Sequence, residues 1–254
     1  MKKLLFLALA VCLTLSTSVA KERAAKVTVR DEIVKALSTR ANMGQFWNDL
    51  AQKQRTLQRA PASETLLKML VDIVENEKER DEVRWATIFG IGRLAGNESP
   101  TILRRFLVHK NWILRDATLK TFAALQASKM RGDIEKVIKE DQALVVRTTA
   151  VDVIHHMGLK ESTPALLEAL SDSRNYRHGK PLWIHKHILS ALKKLKAKDA
   201  APRLAGILAE HKDPEFRTQI IATLEDLTGK NFRNRSMEEQ VYLWKRGTVD
   251  ELTF

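Results

Sequence analysis

Apolar residues recur along this chain with a helical period, and one twelve-residue pattern of them is written five times. The copies are VRWATIFGIGRL from Val83, LRDATLKTFAAL from Leu114, VRTTAVDVIHHM from Val146, IHKHILSALKKL from Ile184 and FRTQIIATLEDL from Phe216. Counted from the first residue of each copy, positions 0, 5, 8 and 11 are apolar throughout. At about 100° per residue they fall within an arc of about 140°, one face of an amphipathic helix. A second apolar segment precedes each copy: Leu66 to Val74, Ile102 to Val108, Ile134 to Ile138, Leu166 to Leu170 and Leu204 to Leu208. Each period therefore predicts an antiparallel helix pair, and five in tandem predict an all-α solenoid of stacked hairpins rather than a body around one core.

Proline opens three of the first helices, at Pro100, Pro164 and Pro202. It is tolerated there because the first turn has no intrahelical partner for its missing N–H. Pattern starts are separated by 31, 32, 38 and 32 residues, so one repeat carries about six extra residues, between Pro164 and Ile184. The inserted segment is Ser171 to Trp183, and a loop that lengthens against a regular period is either a binding loop or a tolerated excursion.

The ends differ from the array. Residues 1–20 carry Lys2 and Lys3, an apolar run from Leu4 to Leu15 and a small-residue close at Ser18-Val19-Ala20. This reads as a secretory signal peptide cut after Ala20, since the run is too short for a membrane span of about twenty residues. Residues 21–62 then form N-terminal capping helices around Ile33, Val34, Leu37, Met43, Phe46, Trp47 and Leu50, residues 63–229 the repeat array, and residues 230–254 a C-terminal cap. In that cap Phe232, Tyr242 and Trp244 are expected to cover the bare face of the last repeat.

Helix pairs of this length, with Val-Arg or a like dipeptide opening the second helix, resemble HEAT repeats in the short form seen in phycobilisome-lyase-like proteins. The resemblance spans Ser63 to Gly229 and is closest at His211-Lys-Asp-Pro-Glu-Phe-Arg217, where an Asp-Pro turn precedes the arginine. It departs at His185, which replaces the arginine of the fourth copy. The resemblance implies that the second helices line an inner curved surface. It also implies a structural duty for Arg84, Arg115, Arg147 and Arg217, binding turn carbonyls or acidic groups of their own repeats. Some HEAT-like enzymes hold iron through His-Glu dipeptides, and none occurs in this sequence.

The formal charge is +12, and loss of Lys2 and Lys3 with the leader gives 12 − 2 = +10. Such a balance favours anionic partners. Cys12 is the only cysteine and falls in the leader, so the exported chain is expected to have no disulfide and no thiolate chemistry. On the inner surface, positions 2, 6, 9 and 10 hold Trp85, Phe89 and Arg93, then Asp116 and Lys120, then Asp152, His155 and His156, then Lys186, Lys193 and Lys194, then Glu225 and Asp226. That face is graded rather than uniformly positive, which counts against a phosphate-tracking groove for nucleic acid. It suits a protein or peptide partner, with Trp85 and Phe89 as apolar anchor, or those two rings are buried under the N-terminal cap.

The insertion adds Arg174, Tyr176, Arg177, His178, Lys180 and Trp183, aromatics among cations that can grip acidic groups. Trp183, beside the next helix, has core packing as its alternative. Five histidines, His155, His156, His178, His185 and His187, lie in the third and fourth repeats, but their spacing does not put pairs on one helix face as a metal site requires. No nucleophile elbow or phosphate-binding glycine loop is present, and no paired carboxylates stand in a setting that would separate their pKa values. The sequence thus predicts an exported, periplasmic scaffold or adaptor that is not an enzyme, needs no cofactor or metal, and binds a protein of the cell envelope through its inner face and the 171–183 loop. The alternative is a binder of anionic envelope polymer or lipid headgroups, motivated by Arg104, Arg105, Lys136 and Lys139 on first helices.

Overall fold

The computed structural model describes residues 30–38, 45–49 and 64–249. The leader, its cut after Ala20, and Met43 and Leu50 of the N-terminal cap lie outside them. Over the described residues the protein is all-helical except for one small hairpin. After helical stretches 30–38 and 45–49 come α1 (Glu64–Glu75), α2 (Asp81–Leu94), α3 (Ser99–Leu103), α4 (Trp112–Ala124), α5 (Arg131–Glu140), α6 (Leu144–Met157) and α7 (Thr163–Ser171). Strands β1 (Tyr176–Arg177) and β2 (Lys180–Pro181) follow, then α8 (Ile184–Lys194), α9 (Ala201–Glu210), α10 (Pro214–Thr228) and α11 (Met237–Val249).

Local sequence sets these boundaries. Pro100, Pro164 and Pro202 each sit in the first turn of α3, α7 and α9. Asp213 caps α10 by accepting the Phe216 N–H at 2.8 Å, and α10 stops at Gly229, whose φ of 74° is left-handed backbone that suits a residue without Cβ. One first helix departs from regularity: α3 tightens into a 3₁₀ turn over Arg104–Val108. Phe106 and Leu107 then point inward while Val108, expected in an apolar segment, is 81% exposed.

The core follows the predicted stripe. Positions 0, 5 and 8 are buried in all five copies, from Val83, Ile88 and Ile91 to Phe216, Ile221 and Leu224. Position 11 is buried except at Leu125 and Met157, which are half-buried. Positions 4 and 7 are buried as well, holding Thr87 and Gly90, Thr118 and Thr121, Ala150 and Val153, Ile188 and Ala191, and Ile220 and Thr223. The threonines bury without penalty because each hydroxyl donates to the carbonyl one turn back, as Thr87 does to Val83 and Thr118 to Leu114, both at 2.8 Å.

The chain divides into two compact units between Thr121 and Phe122, inside α4. In the first, α1 and α2 pack as a hairpin. The N-terminal stretches contribute Ile33, Leu37 and Trp47 to its core, and Arg30 pairs with Glu79 in the α1–α2 turn. In the second, α5 pairs with α6, α7 with α8 and α9 with α10. First helices α5, α7 and α9 pack in series, and so do second helices α6, α8 and α10. Helix α11 lies on α9, with Trp244 buried and its ring 4.9 Å edge-on from Phe232. Tyr242, expected in that cover, is instead 60% exposed: it lies two residues before Trp244, and such spacing puts the two on different faces of one helix.

Candidate functional site

The arginine row serves the turns. Arg84 Nε donates to Val74 O at 2.7 Å, Arg115 to His109 O at 2.7 Å and Arg147 to Asp141 O at 2.8 Å; Arg217 donates to His211 O. Each guanidinium thus ties the end of a first helix to the start of its second, satisfying carbonyls that helix ends leave open. In the fourth copy His185 does a shorter version of this, its Nδ1 lying 2.9 Å from Leu182 O.

Ion pairing sorts the second-helix candidates. Lys186 pairs with Glu215 at 3.0 Å and Lys193 with Asp226 at 3.4 Å, both from α8 to α10. His187 meets Asp152 of α6 at 2.6 Å, and Lys120 meets Asp116 one turn away at 2.7 Å. Charges read as a graded docking surface are therefore largely spent within and between neighbouring helices. Arg93, His155, Lys193 and Lys194 lie in the last turns of α2, α6 and α8, where the arginine and lysines meet the negative end of the helix dipole. Trp85 and Phe89 are half-buried against each other, ring centroids 4.6 Å apart.

First-helix cations behave alike: Arg105 pairs with Glu75, Lys136 with Glu140 and Lys139 with Glu168. A shallow groove of about 610 Å³ between α5 and α7 is lined by both partners of the last two pairs.

The insertion is built differently, with a buried base and a free tip. At its start Asp172 accepts the Arg174 N–H at 2.9 Å and pairs with the Arg174 side chain, whose guanidinium also donates to Lys139 O. That guanidinium holds the Asp172 carboxyl below the usual carboxylate range. Asn175 is fully buried: its Oδ1 accepts from Arg147 Nε at 3.1 Å and Nη2 at 2.8 Å, and its Nδ2 donates to Ala169 O at 2.8 Å. Leu182 N–H closes the base on Asn175 O at 2.9 Å.

Tyr176 is turned inward. Its hydroxyl donates to Leu170 O, and its ring lies 4.5 Å from His185 and 5.2 Å from His211, both of which stand edge-on to Phe216. Burial pushes the Tyr176 hydroxyl up to about 12 and holds both imidazoles below their ordinary range. So Tyr176 and Arg174, read as contact residues, support the loop from beneath.

Beyond that base β1 and β2 pair antiparallel, Tyr176 opposite Pro181 and Arg177 opposite Lys180. His178 and Gly179 make the turn with φ of 51° and 74°, the two positive values that a tight hairpin of this twist needs. Arg177, His178 and Lys180 are exposed, and their side chains make no hydrogen bond or ion pair with any described residue. Trp183 is 53% exposed, so the alternative of core packing does not hold.

Arg93, His155 and Lys194 are likewise without a side-chain partner among the described residues but stand on three separate helices, whereas the tip gathers such side chains on one loop. Sequence reasoning missed Asn175, His185, His211 and Phe216 as its supports. A buried asparagine in a polar loop carries no signal; the missing arginine at His185 was the one available hint.

Among the described residues no three His, Cys, Asp or Glu side chains gather as a metal site would require, and no helix is long and apolar enough to cross a membrane. No protein-family model matches the chain, and no curated protein matches it significantly. Among solved structures, human deoxyhypusine hydroxylase in complex with glycerol is similar over 98% of this chain and 95% of its own, with 15% identity and a TM-score of 0.33. The expectation that the protein is not an enzyme is corrected on this finding, since the structure matched along nearly the whole chain is that of an enzyme. A likeness this distant assigns the present chain no activity.

Proposed function

We propose that the protein is an exported, HEAT-like α-solenoid scaffold that binds a protein of the cell envelope through the tip of its 171–183 hairpin. The observation that carries this reading is the division of labour within the insertion. Asn175 is buried and Tyr176 half-buried, each tied to the fold by its side chain, whereas the side chains of Arg177, His178, Lys180 and Trp183 are exposed. A tolerated excursion has no need of so firm a footing. A recognition loop gains from one, because rigidity in the bound shape lowers the entropy cost of association. The five repeated helix pairs support the solenoid, and the charged, apolar and small-residue order of residues 1–20 supports export.

The test places the photo-crosslinking residue p-benzoylphenylalanine at position 183, with position 161 as an exposed control. The expected result is a discrete crosslinked species in envelope fractions from position 183, absent from 161 and lost with Arg177→Gln/Lys180→Gln. Equal labelling at both positions, or none at 183, would sink the proposal. Deleting residues 172–182 is unsuitable, since it removes Asn175 and leaves the buried Arg147 without its partner.

A further inference from the structure

Alternation along a strand puts neighbouring residues on opposite faces of the hairpin. Tyr176 faces inward, onto His185 and His211, so Arg177 faces outward, and the register sets Lys180 directly across from it. Cross-strand partners have Cβ atoms about 5 Å apart, and like charges so placed repel. Elsewhere in this unit Lys136, Lys139, Lys186 and Lys193 on α5 and α8 each meet a carboxylate, and Lys194, which meets none, has no second cation set opposite it by a strand register. At the tip no carboxylate of the described residues is supplied. The repulsion is therefore a standing feature of the free protein, relieved by an anionic group seated between the two side chains.

Resting on the scaffold reading above, we infer that the hairpin tip binds an acidic segment of the partner protein, its carboxylates bridging Arg177 and Lys180 and an apolar side chain lying on Trp183. A guanidinium accepts a carboxylate in two parallel bonds, and the ammonium opposite completes the charge. The size of the feature selects the ligand. Two unpaired cations are too few for a phosphate backbone, which draws its affinity from many contacts in a row. Membrane binding requires a broad apolar face or a polybasic cluster, and the tip offers only two opposed cations and one indole. His178, in the turn itself, adds a donor beside the pair.

The experiment measures fluorescence anisotropy of a fluorescein-labelled peptide of alternating glutamate and leucine titrated with the purified protein. The same peptide with glutamine, and phosphatidylglycerol vesicles, run in parallel. The glutamate peptide is expected to bind, about tenfold more weakly to Arg177→Gln/Lys180→Gln because two charge-assisted contacts are lost. Affinity is expected to be unchanged for Lys160→Gln/Lys198→Gln, which removes the same net charge from exposed sites outside the tip. Trp183→Ala weakens the glutamate–leucine peptide but not a hexaglutamate one.

The inference is overturned if the two double variants bind alike, if the glutamine peptide binds as well as the glutamate one, or if vesicles retain the protein through the tip more strongly than the peptide does. A crosslink at position 183 that survives Arg177→Gln/Lys180→Gln would also overturn it while leaving a partner in place. Absence of any crosslink with peptide binding intact counts against the scaffold reading alone.

Discussion

Asn175 carries more of the insertion than any charged residue in it, because it answers a buried guanidinium. Replacing it with alanine leaves Arg147 Nε without an acceptor and Nη2 with Arg174 O alone, and an unsatisfied charged donor costs about 2–3 kcal/mol. Urea unfolding of Asn175→Ala is expected to show that loss, with Asn175→Asp recovering only part of it, since one oxygen still accepts from Arg147 while the other is set against Ala169 O. The Tyr176, His185 and His211 group gives a second signature, one in pH. Both imidazoles are held below the ordinary 6.5 by burial, so the unfolded chain takes up protons first. Their contribution is complete above about pH 7 and is lost as pH falls from 6.5 toward the lower folded values. Tyr176 runs the other way: raised from 10.0 to about 12, it contributes below pH 10 and loses that contribution as pH climbs from 10 to 12. Thermal melts across pH should therefore narrow this cluster's stability from both sides, and His185→Phe/His211→Phe should flatten the acid limb while leaving the alkaline one.

At the scale of elements, helix periodicity was readable wherever the side chain declared itself. Leucine, isoleucine, valine and phenylalanine at positions 0, 5 and 8 are buried throughout. Positions 4 and 7 form no continuous apolar row because threonine, glycine and alanine, neutral in hydropathy, hold seven of their ten places, with Val153, Ile188 and Ile220 the others, and a threonine's hydroxyl can be silenced by its own helix, as at Thr121 and Thr223. The α8 to α10 ion pairs were invisible for another reason: which carboxylate meets Lys186 depends on how helices remote in sequence are set against each other. Nor could two-residue strands announce themselves by alternation. The length of the insertion alone marked its place, and its tip residues were among those named, whereas the buried base was not. Gly90 is a case where close approach, not φ, demands glycine. A Cβ there would lie 2.6 Å from ring carbons of Trp47, so Gly90→Ala should expel the indole, costing about 1–3 kcal/mol as overpacking does. Red-shifted tryptophan emission with a lower melting temperature would register it; an unchanged spectrum would argue against the Trp47 seat.

For the molecule as a whole, the strong positive charge is not spread as a binding field, since much of what the described helices display is answered locally by carboxylates. Recognition and folding are correspondingly separable. Arg177→Gln/Lys180→Gln/Trp183→Ala should melt within about 1 °C of the unaltered protein, because exposed substitutions away from supports rarely exceed half a kcal/mol, and relief of the Arg177–Lys180 repulsion favours the free fold. Calorimetry of that variant beside Asn175→Ala would display the contrast. The anchored base has a consequence for proteolysis too. Arg177, followed by His178, is a trypsin cleavage residue on an exposed tip, whereas Lys180 is shielded by Pro181, and a protease must draw several residues on each side of the bond into an extended groove. The ties of Asn175 and Tyr176 forbid that movement, so limited digestion should spare the hairpin in the native protein and nick it once Asn175 is replaced by alanine.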